Sequence, residues 1–438
     1  MKSPILEARS KTSAQGEQMH ALLSRLFPIC RSITGNGVRE TLKILQEYIP
    51  LEIHEIPSGT KAFDWTVPEE WNIKDAYVKD ASGRRVIDFK RSNLHVVSYS
   101  EPFEGKLTLE ELKKHLYTLP DQPDLIPYVT SYYDRRWGFC LSDNDLKKFK
   151  DNLYEVKIDS TLKPGSLTYG ELLIKGQTEK EILISTYVCH PSLANNELSG
   201  PVVAAFLAKY LLEMKKPPRY TYRFVFIPET IGAITYISRN LEHLKKNVVG
   251  GYVVSCVGAD AHFSYLQTRQ ENTLTDRITL RVLKNSGVTF KIYDYLQRGS
   301  DERQYNAPGV DLPIGSLMRV RYGEYPQYHT SADDLEYVKA QALEDSLKMY
   351  ERCLEAFEHN ETYKAKCLCE PQLGRRGLRS TLSTRNAEAS SLQILHVFSY
   401  CDGNHDLIAI AEKLKVPVEE VISVIKILER HALIEKVS

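Results

Sequence analysis

The chain has 438 residues, 57 basic and 57 acidic side chains, a formal net charge of zero and 42% hydrophobic content. That balance excludes attachment to nucleic acid or anionic membrane through net charge, and the length exceeds one compact core, so two or three domains are expected. No run approaches the roughly 20 apolar residues of a membrane span, the start Met1-Lys2-Ser3-Pro4 lacks a signal-peptide run, and eight scattered cysteines read as reduced thiols of a cytoplasmic protein.

In chain order, residues 18–50 carry helical periodicity, with Met19, Leu22, Leu23, Leu26 and Phe27 on one face, then Leu42, Leu45 and Tyr48. Cys30-Arg31-Ser32-Ile33-Thr34-Gly35 breaks the two stretches, with Thr34 read as a cap or Arg31–Gly35 as an approach to a cleft. Leu51–Pro57 alternates like a strand. From about 60 to 135 the three tryptophans, short alternating strands and many prolines predict an inserted β-rich domain, with a charged helix near Thr108–Tyr117. It interrupts an α/β domain formed by residues 1–59 and 136–365.

The α/β rhythm is read as strands at 168–175, 181–188, 221–227 and 250–257, with helices at 198–214 and 232–246. A helix at 333–359 is expected to close the domain, Asp333 and Asp334 complementing its dipole. Residues 362–390 read as a polar linker. Residues 385–438 are expected to form a winged-helix-like domain of three helices and a strand, and their six basic and eight acidic residues carry no nucleic-acid footprint. No nucleic-acid or membrane partner is expected, and a homo-oligomer remains open.

Three segments could carry chemistry. Ile182–Val188 is an apolar strand that delivers Cys189-His190-Pro191, followed by Asn195-Asn196-Glu197-Leu198-Ser199-Gly200. Phe224–Ile227 delivers Glu229 to a turn, and His329 follows an aromatic run and precedes Asp333. Histidines and carboxylates at the carboxyl ends of parallel strands occupy the edge where open α/β folds bind ligands. A Cys189–His190 dyad is not expected, because neighbours at a strand end point opposite ways. Asp301-Glu302-Arg303 reads either as a solvated turn or as part of the pocket.

The order His190, Asn196–Gly200, Glu229-Thr230-Ile231-Gly232 and His329 resembles the M28 family of zinc aminopeptidases. With Arg298–Tyr305, Gly315–Arg319 and Tyr322–Tyr325, the chain more closely resembles bacterial aminopeptidase-like proteins with an inserted β-rich domain and a C-terminal winged helix. The resemblance implies a mixed α/β sheet of the zinc-exopeptidase type, flanked by helices. It implies that His190 and His329 bind zinc and that Glu229 is the general base.

Three positions depart from the two-zinc pattern: Asn196 and Cys256 stand where aspartates belong, and Thr230 where a glutamate belongs. Asparagine and threonine are weak zinc ligands, so one ion is expected. Glu197 would join His190 and His329 as its third ligand, with Cys256, Asp260, Asp301 or Glu302 as alternatives. Asp301 or Glu302 would take the substrate's amine and Arg303 a carboxylate. The implied activity is hydrolysis of a small aminoacyl or peptide-like amide. A metal-free binding relic and a single-zinc acyl transferase or cyclase are the alternatives.

Overall fold

Glu181–Tyr187 and Thr221–Ile227 are buried at every position, as strands covered on both faces must be. In the computed structural model, which describes residues 14–150, 153–378 and 385–437, these two strands lie inside an eight-stranded mixed sheet. We label its strands β1 (Glu52–Pro57), β2 (Ser166–Ile174), β3 (Glu181–Tyr187), β4 (Thr221–Ile227), β5 (Val248–Val253), β6 (Phe263–Leu266), β7 (Phe290–Tyr293) and β8 (Ile314–Met318). The spatial order is β1-β2-β4-β3-β5-β8-β6-β7. The middle four, β4, β3, β5 and β8, run parallel, and β1 and β2 close one side antiparallel. The expected α/β class and the strand positions are therefore borne out, with ends within a few residues.

The helices follow their apolar stripes: α1 (Ala14–Leu26) buries Met19, Leu22, Leu23 and Leu26, and α2 (Asn36–Leu45) buries Val38, Leu42 and Leu45. α3 (Ser199–Leu212) is apolar on nearly all sides and buried. Its Gly200 allows close approach to the sheet, since a Cβ there would stand 2.2 Å from the Val254 carbonyl oxygen. α4 (Ile231–Asn247) starts directly after the β4 turn.

The inserted module forms its own four-stranded sheet, ordered Arg85–Asp88, Glu70–Lys79, Leu153–Lys163, Phe103–Thr108. Its long return strand alternates, burying Tyr154, Val156 and Ile158 against Ala76, Val78 and Phe139. That strand lies beyond residue 135, where composition alone placed the boundary. The charged helix is one short turn, Leu109–Lys113, closed by a capping box from Thr108 and Glu111.

Two compact units make up the chain. One contains the eight-stranded sheet and the inserted module, residues 9–275 and 290–347; the other contains 276–289 and 348–438. In the second, helices Arg385–Ser399, Leu407–Leu414 and Val418–Arg430 accompany a three-stranded antiparallel sheet. Thr362–Ala365, read from sequence as the end of the α/β domain and the start of a linker, is the middle strand of that sheet, between Asp402–Asp406 and Ile434–Lys436. Four residues inside a polar run leave little periodicity to detect. Arg277 pairs both guanidinium nitrogens with Asp406, at 2.7 and 3.0 Å, within this unit. All eight cysteines are free. No helix among the described residues is long and apolar enough to cross a membrane.

Candidate active site

β3 lies between β4 and β5, so the connections leaving β3 and β4 depart to opposite sides. Such a switch point opens a crevice past the carboxyl ends of the strands. Here β3 delivers Cys189 and His190, β4 delivers Glu229 and Thr230, and β5 leads to Cys256. The backbone is strained at this edge: Ser192, Thr230, Cys256 and His329 all have positive φ, between 44° and 65°. Non-glycine residues hold that conformation only where surrounding contacts impose it.

His190 is fixed from behind. Its Nδ1 lies 2.8 Å from Glu197 Oε2, and Glu197 Oε1 accepts the Cys189 backbone N–H at 2.5 Å. Arg31, fully buried, stands 3.7 Å from the same carboxylate and donates to the His190 carbonyl at 3.0 Å. Burial works against charge on His190, but the hydrogen bond and charge of Glu197 outweigh it and raise the imidazole pKa. With Nδ1 committed, Nε2 faces Glu229, 3.7 Å from Oε2.

Glu229 is held by Ser300, whose hydroxyl donates to Oε1 at 2.7 Å. Burial raises its pKa above the usual carboxylate range. The backbone N–H of Thr230 donates to Asp301 Oδ1 at 2.7 Å, while Asp301 Oδ2 is buried without a hydrogen-bond partner. Burial, then the nearby Glu229 charge, pushes the Asp301 pKa far up. Arg303 donates to Thr230 Oγ1 at 2.7 Å and keeps Nε unpartnered. Glu302 differs: it accepts from the Gly299 and Ser300 backbones and from the Tyr322 and Ser316 hydroxyls, at 2.6 to 3.2 Å. A carboxylate with four donors has no free edge for a substrate, so Glu302 folds the 299–305 turn.

His329 comes from the far end of the sequence. Its ring stacks on Tyr328 at 3.9 Å and lies 5.5 Å, centroid to centroid, from His190. Tyr128 of the inserted segment packs on both histidines, at 5.0 and 5.1 Å, and its backbone N–H donates to the His329 carbonyl at 2.8 Å. Burial, followed by the charge of His190, lowers the His329 pKa to about 3, so its imidazole is neutral near pH 7.

The sequence expectations divide cleanly against this geometry. His190, Glu197, Glu229, Asp301 and Arg303 gather at one edge, with His329 across from His190. Cys189, His190 and Glu197 form the one set of three such residues, among those described, whose donor atoms lie within 4.8 Å of one another. That set is already bonded within itself, beside a buried guanidinium that repels a cation, and burial keeps Cys189 a neutral thiol. Cys189 Sγ does reach His190 Nδ1, at 3.3 Å; strand alternation does not separate them because β3 ends at Tyr187.

Among the alternative ligands, Cys256 is buried, its thiol pushed up to about 12 mainly by desolvation. Asp260 has a side chain 83% exposed, beside Arg319. Asp333 is not in a helix, since that helix begins at Ala340. Its carboxylate accepts the backbone N–H groups of Asn195 and Asn196 at 2.6 and 2.9 Å, securing the π-helical turn Ala194–Leu198. Thr34 caps no helix; it donates to the Glu69 carbonyl and accepts from the Trp71 backbone. Sequence reasoning missed Ser300, Tyr128 and Tyr132. The tyrosine-rich run 128–133 was the only signal for the two tyrosines, and Ser300 lay unassigned within Arg298–Tyr305.

Residues 20–360 match the family described as "Domain of unknown function (DUF4910)", and residues 361–436 match a winged helix-turn-helix family. A Clostridium acetobutylicum protein, provisionally named for polysaccharide biosynthesis and for an aminopeptidase-like domain, is 49% identical over 404 residues, 92% of each chain. A crystal structure from Clostridium acetobutylicum superposes with a TM-score of 0.91 at 46% identity, covering 96% of each chain. A zinc aminopeptidase from Bacillus subtilis shares the fold at a TM-score of 0.56 and 12% identity, covering 80% of this chain and 96% of its own. A Shewanella amazonensis M28 peptidase precursor gives 0.56 at 13%, over 82% and 95%. The chain belongs to the DUF4910 family, an aminopeptidase-like domain on the M28 peptidase fold followed by a winged helix.

Proposed function

We propose that this protein hydrolyses an amide bond next to a free amine, in a small aminoacyl or peptide-like substrate, with Glu229 as general base and one zinc ion as cofactor. The reading rests above all on Glu229, a partly buried carboxylate of raised pKa, oriented by Ser300 and set 3.7 Å from the free nitrogen of His190. A carboxylate base of raised pKa in a crevice suits proton transfer.

The donor types suit one ion. His190 has its Nδ1 hydrogen tied to Glu197, the outer carboxylate that commonly orients a metal-binding histidine. Burial keeps His329 neutral, as a ligand must be. The orphaned Oδ2 of Asp301 is the carboxylate oxygen that would join the two imidazoles in a three-ligand zinc set with an open position; without an ion, these three donors do not all stand within 4.8 Å of one another. On this reading Glu197 orients His190 in place of the ligand role expected from sequence. Asn196, Thr230 and the neutral Cys256 thiol offer no comparable set for a second ion. Bound zinc would polarise the scissile carbonyl and acidify water.

Glu229 takes the water's proton and returns it to the departing amine, while Ser300 keeps the accepting oxygen in place. Arg303, with Nε free, offers a cation for a substrate carboxylate or carbonyl. The test is hydrolysis of a panel of aminoacyl p-nitroanilides and aminoacyl amides by the zinc-loaded protein. Turnover that vanishes in Glu229→Gln, with zinc content unchanged, supports the reading; turnover equal in both proteins refutes it.

A further inference from the structure

His190 and His329 reach the candidate site by unequal means. His190 follows the central strand β3 and is tied through Nδ1 to Glu197 at 2.8 Å. Among the described residues, 319–339 form neither helix nor strand, and no hydrogen bond reaches the His329 ring. The His329 backbone also holds a φ of 55°, which a non-glycine residue keeps only under outside constraint. Something other than the eight-stranded sheet places this imidazole.

We propose that Tyr128 is a positioning residue for the histidine pair, and that the inserted segment 122–131 completes the site by holding His329 against His190. The inference deepens the hydrolase reading above and rests on it for the role of the two imidazoles.

Three observations carry it. The first is a ladder of four hydrogen bonds between two loops. The Tyr128 backbone N–H donates to the His329 carbonyl at 2.8 Å, and the Ser331 N–H donates to the Ile126 carbonyl at 2.9 Å. The Ile126 N–H donates to Ser331 Oγ at 3.0 Å, and Gln122 Nε2 donates to the Pro326 carbonyl at 2.9 Å. Pro127 and Thr330 face each other within this ladder as an isolated antiparallel bridge. These bonds fall before, at and after His329, so they supply the constraint that its left-handed backbone needs.

Second, one buried ring touches both imidazoles. The Tyr128 centroid lies 5.0 Å from that of His190 and 5.1 Å from that of His329, the latter edge to face. Tyr328 stacks on His329 at 3.9 Å. Both are favoured aromatic arrangements, and packing thus does for the His329 ring what Glu197 does for His190.

Third, the segment is itself anchored at its other side. The Ser98 N–H donates to the Val129 carbonyl at 2.8 Å and the Ser131 N–H to the Ser98 carbonyl at 2.9 Å. The Tyr128 hydroxyl bonds to that of Tyr132 at 2.5 Å, and Ser98 Oγ lies 3.1 Å from Ser32 Oγ, in the turn between α1 and α2. A brace held on both sides fixes what it touches.

The experiment compares the full-length wild type with Tyr128→Phe, Tyr128→Leu and Val156→Ala, the last loosening the inserted module's own core away from the site. Cobalt(II) alone is the metal probe, titrated into metal-free protein while its visible absorption band reports the ligand set. Hydrogen exchange of the metal-free proteins over residues 326–331 is read by mass spectrometry. Tyr128→Leu should bind cobalt about 10-fold more weakly, with an altered band, as when a contact behind a ligand histidine is lost. Its 326–331 segment should exchange about tenfold faster, the scale of one aromatic contact. Tyr128→Phe keeps the ring and should match the wild type in both. Val156→Ala should melt lower yet keep the wild-type affinity and exchange. Unchanged cobalt affinity or unchanged exchange in Tyr128→Leu overturns the proposal, and so does an equal loss in Val156→Ala. A wild type that takes up no cobalt refutes the metal reading, and the exchange comparison then decides the brace alone.

Discussion

Two buried groups of charge lie toward opposite ends of the same strands. Near the amino ends, Arg223 on β4 pairs with both oxygens of Glu181 at 2.7 and 2.9 Å and with Glu171. His243 and Tyr236 complete the network. Burial disfavours the charge on Glu181, yet the bonds from Arg223 and His243 outweigh it and hold the carboxyl below its usual range. Past the carboxyl ends, burial wins: the pKa values of Glu229 and Asp301 rise, Asp301 Oδ2 and Arg303 Nε have no partner, and the backbone turns left-handed at Thr230, Cys256 and His329. The first group is satisfied and serves the fold. The second gives up local stability to keep groups free, as functional sites do.

The comparison breaks or sharpens under substitution. The largest effect belongs to Glu229→Gln, which should lower turnover by about 10² to 10⁴ while leaving the melting temperature equal or higher; activity of each variant and its thermal unfolding check both halves. Next comes Arg223→Met, expected to destabilise by about 3–5 kcal/mol, since it strands a buried carboxylate, with turnover per folded molecule unchanged. Denaturant titration would measure it. Because Glu181 is held below its unfolded pKa of about 4.3, its stabilising share is present above that value and fades as pH falls through the folded pKa. Arg223→Met should therefore lose less stability relative to wild type in acid than at pH 7.

Smaller effects concern the supporting residues. Glu197→Gln should weaken zinc binding by about 10- to 100-fold, the usual consequence of losing a carboxylate behind a ligand histidine; competition with a chromogenic chelator would give the number. Asp301→Asn should raise the stability of the metal-free protein by about 0.5–1 kcal/mol, within the gain common when a functional residue is relaxed, while it abolishes turnover. A destabilised Asp301→Asn would place Asp301 with Glu181 as a structural carboxylate and dissolve the contrast.

Much of the fold was legible because its signals are local. Apolar runs such as Phe224–Ile227 and helical stripes such as Met19–Leu26 need only their neighbours, and they marked strand ends closely enough to single out His190 and Glu229, while His329 stood out by its aromatic run and the family resemblance. What stayed hidden depends on distant partners. Asp333 looked like a helix-dipole acid until its carboxylate was found on Asn195 and Asn196, nearly 140 residues away in sequence. Glu302 looked available until Tyr322 and Ser316 were seen to bond it. Tyr128 and Tyr132 belong to a segment whose composition marks it only as an insertion, and the hydrogen bond from Tyr128 to the His329 loop is what brings it to the site.

The account turns on a single ion between His190 and His329. Elemental mass spectrometry of untagged protein, purified in zinc and freed of loosely bound metal, measures it directly, for the wild type beside His329→Ala. About one zinc per chain, lost in the variant, is the predicted result. Two per chain, or none after zinc is supplied, would contradict it.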